Sequence, residues 1–99
     1  MPEVYLRSMR HGKDVVVAVC DAELLGKTIE GGHVPFKVSE SFYGGVLADL
    51  DEALEAMGKA TICNLVGKRI VEAAISRKFV HRRAIIYFGD VPHTQIVVL

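Results

Sequence analysis

Val4-Tyr5-Leu6-Arg7-Ser8-Met9-Arg10, His11-Gly12-Lys13-Asp14 and Val15-Val16-Val17-Ala18-Val19-Cys20 follow one another without interruption. The first run alternates apolar and polar side chains through its first half, as a half-buried strand does. The third is a short, continuous, mostly β-branched run, better suited to a strand buried on both faces than to a helix. The four residues between them supply a turn, so the stretch predicts an antiparallel hairpin at the head of the fold.

Downstream, Asp21-Ala22-Glu23-Leu24-Leu25-Gly26 predicts one helical turn with Asp21 as cap and Gly26 as terminator. Gly31-Gly32 breaks the chain again, and Val34 to Val38 reads as a strand. Ser39-Glu40-Ser41-Phe42-Tyr43-Gly44-Gly45 begins small and polar, turns aromatic and ends in two glycines, which suits a loop approaching something closely. Asp49, three residues before Glu52, marks a capping-box start to a helix through about Lys59, with Gly58 bending or ending it. A longer helix is predicted from about Thr61 to Lys78, because Ile62, Leu65, Val66, Ile70, Ala73 and Ala74 recur at three- and four-residue spacing. Ala84 to Phe88 and Thr94 to Leu99 are β-rich runs separated by Gly89-Asp90-Val91-Pro92, a second hairpin. The expected architecture is a single α+β domain over residues 1–99: a mostly antiparallel sheet of about five strands in hairpins, with two main helices packed on it.

The 99 residues suit one core, and 51% hydrophobic against 24% charged residues places the chain among globular proteins. Two cysteines, Cys20 and Cys63, make no disulfide framework and no CxxC pair, so free thiols are expected. His33 and His93 lie in segments remote from both, which speaks against a metal site; no cofactor is implied. The N-terminus lacks a basic region followed by an apolar one, and no apolar run approaches the roughly 20 residues that cross a bilayer. A cytoplasmic protein without a membrane partner is therefore expected. Twelve bases balance twelve acids, yet Lys68, Arg69, Arg77, Lys78, Arg82 and Arg83 stand against only Glu72 between residues 68 and 83. A neutral total can thus hide a basic face.

Four blocks carry a family resemblance: Val17 to Lys27, Ser41-Phe42-Tyr43-Gly44-Gly45, Ala60 to Gly67, and Val91-Pro92-His93-Thr94-Gln95. In order and over nearly the whole chain, they resemble a small archaeal family known as domain of unknown function 424. The resemblance brings no catalytic residues and no substrate. It implies an archaeal cytoplasmic protein, and the general character of small archaeal families adds the expectation of a role beside RNA or the translation apparatus.

Each block has a chemical and a packing reading. Cys20 and Asp21 end a strand, where a following helix start lowers a thiol pKa; a buried structural cysteine is the simpler alternative. Cys63, near the start of the expected long helix, suits either a thiolate favoured by the helix dipole or a small packing residue, and the resemblance, whose pattern favours a small apolar residue here, implies packing. Ser41, Phe42, Tyr43, Gly44 and Gly45 offer backbone N–H groups to an anion and rings to a base, or else form a tight turn anchored by an aromatic. Asn64, expected on the long helix beside its apolar stripe, has poor helix propensity, which suits either ligand binding or a hydrogen bond to a loop. His93, after Pro92 and before Gln95, suits acid–base work or a turn-stabilising hydrogen bond. The basic cluster either tracks phosphates or complements the negative end of the helix dipole.

Three functions follow from different classes. The leading one is a non-catalytic binding module for RNA or a ribonucleoprotein: Lys68, Arg69, Arg77, Lys78, Arg82 and Arg83 position phosphates, Phe42 or Tyr43 stacks, and Asn64 hydrogen-bonds. It calls for one contiguous positive surface. The second is a small-molecule enzyme or ligand binder whose pocket gathers Cys20, Asp21, Tyr43, Asn64 and His93. The third is a homo-oligomeric interaction subunit, since a chain this apolar has surface to hide.

Overall fold

A computed structural model describes residues 2–98. The opening stretch folds as expected: β1 (Val4–His11) and β2 (Asp14–Asp21) pair antiparallel from Val4 opposite Asp21 to His11 opposite Asp14. Gly12 supplies the positive φ of 59° that the two-residue turn demands. After a 3-10 turn at Ala22–Leu24 come β3 (Thr28–Ile29) and β4 (Phe36–Lys37), which form a separate two-stranded hairpin. The strand expected over Val34 to Val38 is thus confined to Phe36–Lys37, with Val34 two-thirds exposed before it. The glycine-aromatic segment is a one-turn helix, α1 (Glu40–Tyr43), followed by a short edge strand, β5 (Val46–Ala48). α2 (Leu50–Gly58) starts on the anticipated capping box: Glu52 N–H donates to Asp49 at 2.9 Å, and Asp49 N–H to the Glu52 side chain at 3.2 Å.

The long helix expected from Thr61 to Lys78 is two elements. Ile62–Val66 is a strand, β6, and only Lys68–Ser76 is helical, as α3. The physical reason lies in the burial of β6 on both faces, where apolar residues appear at odd and even positions alike and imitate helical spacing. Gly67 separates the two, at φ 120°, a conformation that favours glycine. The final hairpin, β7 (Ile86–Phe88) and β8 (Val91–Val97), turns on Gly89 and Asp90 alone, so Val91 and Pro92 belong to the strand. Leu99, placed in the last strand by the sequence pattern, lies outside the described residues.

The sheet is six-stranded, in the order β5-β1-β2-β6-β8-β7, and antiparallel except where β2 runs parallel to β6. The fold is therefore α+β, with more strands than the five expected and one parallel seam among the hairpins. On one face α2 and α3 cover Val4, Val17, Val19, Cys63 and Leu65. On the other, α1 and the β3–β4 hairpin cover Ala18, Cys20 and Val66 with Val38 and Tyr43. No helix among the described residues is long and apolar enough to cross a membrane.

Candidate functional site

Residues directly opposite one another on neighbouring strands share a face of the sheet. The registers of β1, β2, β6 and β8 therefore set out three rows on the face away from α2 and α3. The row nearest the β1–β2 turn is Met9, Val16, Ile62 and Val97. The next is Arg7, Ala18, Asn64 and Gln95; the third is Tyr5, Cys20, Val66 and His93. α1 and the β3–β4 hairpin pack over the third row and reach the edge of the second. The first row, together with Asn64 and Gln95, stays open: Val97 is 54% exposed, Gln95 is exposed and Asn64 is half-buried. The edge strands are too short to flank this end, since β5 pairs only with Val4 to Leu6 and β7 only with Val91 to His93.

Four of the expected ligand residues thus share one face: Cys20, Asn64, His93 and Gln95. Asn64 is a strand residue and not a helical one, which removes the propensity anomaly that drew attention to it. Arg7, in the same row as Asn64, escaped the sequence reading. Its signal was there: it is the charged residue of the alternating set Tyr5, Arg7 and Met9, whose other two members are apolar or aromatic. One Arg7 guanidinium nitrogen donates to the Gly44 carbonyl at 3.5 Å, while its Nε is buried with no partner among the described residues.

The thiols are poor nucleophiles. Cys20 is fully buried, and desolvation pushes its pKa up to about 12; Cys63, on the opposite face of the sheet, is pushed up to about 11 for the same reason. Burial also lowers the pKa of His93, whose ring meets Phe36 and Phe88 edge-on at 5.3 and 5.9 Å while those two rings stack at 4.6 Å. Its Nδ1 is buried without a partner among the described residues. Tyr43, the last residue of α1, is buried and Phe42 packs against it edge-on at 5.0 Å, so both rings anchor the cover of the sheet.

Asp21 points to the helical side, away from Cys20. It does not cap the turn that follows it. Its carboxylate instead accepts the N–H groups of Arg69 at 2.9 Å and Ile70 at 3.1 Å, at the start of α3. The positive end of that helix is thereby occupied by the chain's own acid. Gly67 allows this approach, because a Cβ there would overlap the Asp21 carboxyl carbon. Burial holds the Asp21 carboxyl above its usual range against the opposing pull of the two N–H groups. A concavity of about 390 Å³ opens beside it, lined by Asp21, Glu23, Leu24, Lys68, Arg69 and Val91. A groove of about 580 Å³ between the β1–β2 hairpin and α2 holds none of the expected site residues.

Gly44 and Gly45 meet the second row only at its outer end, at Arg7, and Ser41 makes its hydrogen bond within its own segment. The Ser41 hydroxyl is 2.7 Å from that of Ser39 on exposed α1, and a Cβ at Gly45 would overlap the Leu6 carbonyl oxygen. The paired glycines let α1 and β5 press against β1. The basic residues divide between the two ends of α3, roughly 12 Å apart for a nine-residue helix. At its start, the Arg69 guanidinium is held by the Glu23 carboxylate and by the Glu3 carbonyl at 3.1 Å. Beyond its end, Arg82 binds Glu72 through two parallel hydrogen bonds of 2.8 and 2.9 Å, and Arg77 lies 3.9 Å from Asp51. Lys68, Lys78 and Arg83 are exposed, with no carboxylate within 4.0 Å among the described residues.

The profile of the family described as "Protein of unknown function (DUF424)" matches residues 9–99. Among solved structures, the chain is similar to that in the crystal structure of an uncharacterized conserved protein from Methanopyrus kandleri. The two share 26% identity and a TM-score of 0.84, over 98% of this chain and 92% of the other. Curated protein sequences contain no match to it.

Proposed function

The chain belongs to the family described as "Protein of unknown function (DUF424)", and from that premise we propose that it is a non-catalytic, single-stranded RNA-binding module of an archaeal cytoplasmic protein. The observation that carries the reading is the second row on the open sheet face. Arg7, Asn64 and Gln95 stand there in register beside the apolar row of Met9, Val16, Ile62 and Val97, with no acid in either row. Carboxamides offer a paired donor and acceptor to the edges of unstacked bases, and a guanidinium adds donors for base or phosphate oxygens. The apolar row gives base faces a dry surface, while Lys13 at the β1–β2 turn borders it with positive charge.

The small-molecule alternative has less support, because its five residues are divided by the sheet and burial disfavours the thiolate of its one cysteine, Cys20. The module is tested by titrating the protein into a labelled single-stranded RNA of mixed sequence and following anisotropy at low salt. Replacing Arg7, Asn64 and Gln95 together by alanine is expected to weaken binding by about tenfold or more, the equivalent of losing two or more hydrogen bonds. Unchanged affinity in that variant, with its fold intact by circular dichroism, refutes the reading.

A further inference from the structure

Two strand edges are bare at the open end of the sheet, and they differ in charge. Beyond β5, the outer side of β1 presents the backbone of Ser8 and Arg10, in a run that also carries Arg7 and Lys13. Charged side chains on an edge discourage pairing with a like edge. Beyond β7, the outer side of β8 carries no formally charged residue from Val91 to Val98.

The hydrogen-bond parity of β8 is set by its inner neighbours. Val98 N–H donates inward to the Thr61 carbonyl, and the Pro92 carbonyl accepts inward from Gly67 N–H. Even-numbered residues of β8 therefore bond toward β6. The N–H and C=O groups of Gln95 and Val97 point outward, where no strand of the described residues lies beside them. Val97 and Val98 are 54% and 59% exposed there, and Ile86 of the adjoining edge is 54% exposed.

We propose that this edge is a homodimer interface, formed by β8 of one copy pairing antiparallel with β8 of a second copy about a twofold axis. Placing Gln95 opposite Val97 of the other copy brings the two Ile96 residues face to face at the axis. That register satisfies the outward groups of Gln95 and Val97 in both copies through four hydrogen bonds. The absence of charge lets the edge meet itself without repulsion, which the basic β1 edge does not. The twofold stands perpendicular to the sheet, so both open faces lie on the same side. The row Arg7, Ala18, Asn64, Gln95 then runs on directly into Val97, Ile62, Val16 and Met9 of the other copy. Eight strands at about 4.8 Å spacing make a continuous platform close to 40 Å wide. The interface is small beside the roughly 1,600 Å² of a standard complex, so association falls in the micromolar range and depends on concentration.

Sedimentation equilibrium across that concentration range tests the assignment. The expected mass rises from 10.9 kDa toward twice that value and stops. Val97→Pro removes an N–H that faces solvent in the monomer and is expected to abolish the dimer with the circular dichroism spectrum retained. Should Val97→Pro disturb the fold, Ile96→Cys supplies the second reading: mild oxidation is expected to link two chains through this position, since the native thiols are buried. A monomer throughout the range overturns the proposal, as does a dimer untouched by Val97→Pro and not cross-linked by Ile96→Cys. Growth past the dimer also overturns it, pointing instead to head-to-tail pairing of β8 with the β1 edge. The outcome is independent of RNA affinity, so failure here leaves the RNA reading standing.

Discussion

Removing the carboxylate of Asp21 is expected to cost more stability than any exposed substitution, and in a graded way. Its two oxygens accept the N–H groups of Arg69 and Ile70, and its side chain is almost wholly buried. Asp21→Ala strands both donors. At about 1–3 kcal/mol for each buried group left unpaired, with the exposed fraction near Arg69 softening one of them, the loss is about 2–4 kcal/mol. Asp21→Asn keeps one acceptor and turns an NH2 group toward the other donor, while relieving the desolvation that raises the carboxyl pKa; its loss is about 1–2 kcal/mol. In a chain of this size each kcal/mol shifts the melting temperature by about 4–8 °C, so the alanine variant should melt roughly 10–25 °C lower. Urea unfolding followed by circular dichroism provides the free energies. Should both variants fall within about 0.5 kcal/mol of the natural protein, or asparagine lose as much as alanine, the account of Asp21 as a two-donor helix cap is wrong.

Two further outcomes follow from the buried titratable groups. With pKa values pushed up to about 12 and 11, Cys20 and Cys63 should react with a chromogenic disulfide reagent at pH 8 only after unfolding; rapid labelling of the native protein would place a thiol at the surface. His93 has a folded pKa below the unfolded value of about 6.5, so the unfolded chain takes up the proton first as pH falls. Its contribution to stability is full above about pH 6.5 and is lost as pH drops toward the folded pKa. Denaturant midpoints between pH 7 and 5 should therefore fall more steeply for the natural protein than for His93→Leu, and parallel slopes would count against it.

The hairpin of β1 and β2 was legible because its signals are local: alternation, a β-branched run and a Gly-containing turn. The capping box of α2 was legible for the same reason, being written in Asp49 and Glu52 alone. β6 was not, because a central strand buried on both sides loses the alternation that marks a strand, and Ile62, Leu65 and Val66 then mimic a helical stripe. Asn64, awkward in a helix, and Gly67 were the residues that contradicted the helix. Of the candidate site, Cys20, Asn64, His93 and Gln95 were named from the sequence, Asn64 as a helical residue, and the strand registers place all four on one face. Their shared face depends on the parallel register of β2 with β6, a contact between segments more than 40 residues apart. Asp21 went to the opposite side because its partner, the start of α3, is equally distant in sequence.

The strand order has a bearing on how the chain comes together. Strands β5, β1 and β2 all derive from the first half of the sequence, and β6, β8 and β7 all from the second. The halves meet along the single parallel ladder, fastened at one end where Thr61 N–H donates to the Val15 carbonyl at 2.9 Å and the Thr61 hydroxyl accepts from Val15 N–H at 2.9 Å. Hairpins form from near neighbours, whereas this seam must close a long loop before it gains anything. A ribosome releasing the chain therefore exposes β2, the most apolar strand of the first half, as a bare edge until β6 has emerged. During that interval the nascent protein is at its most vulnerable to pairing with the wrong strand.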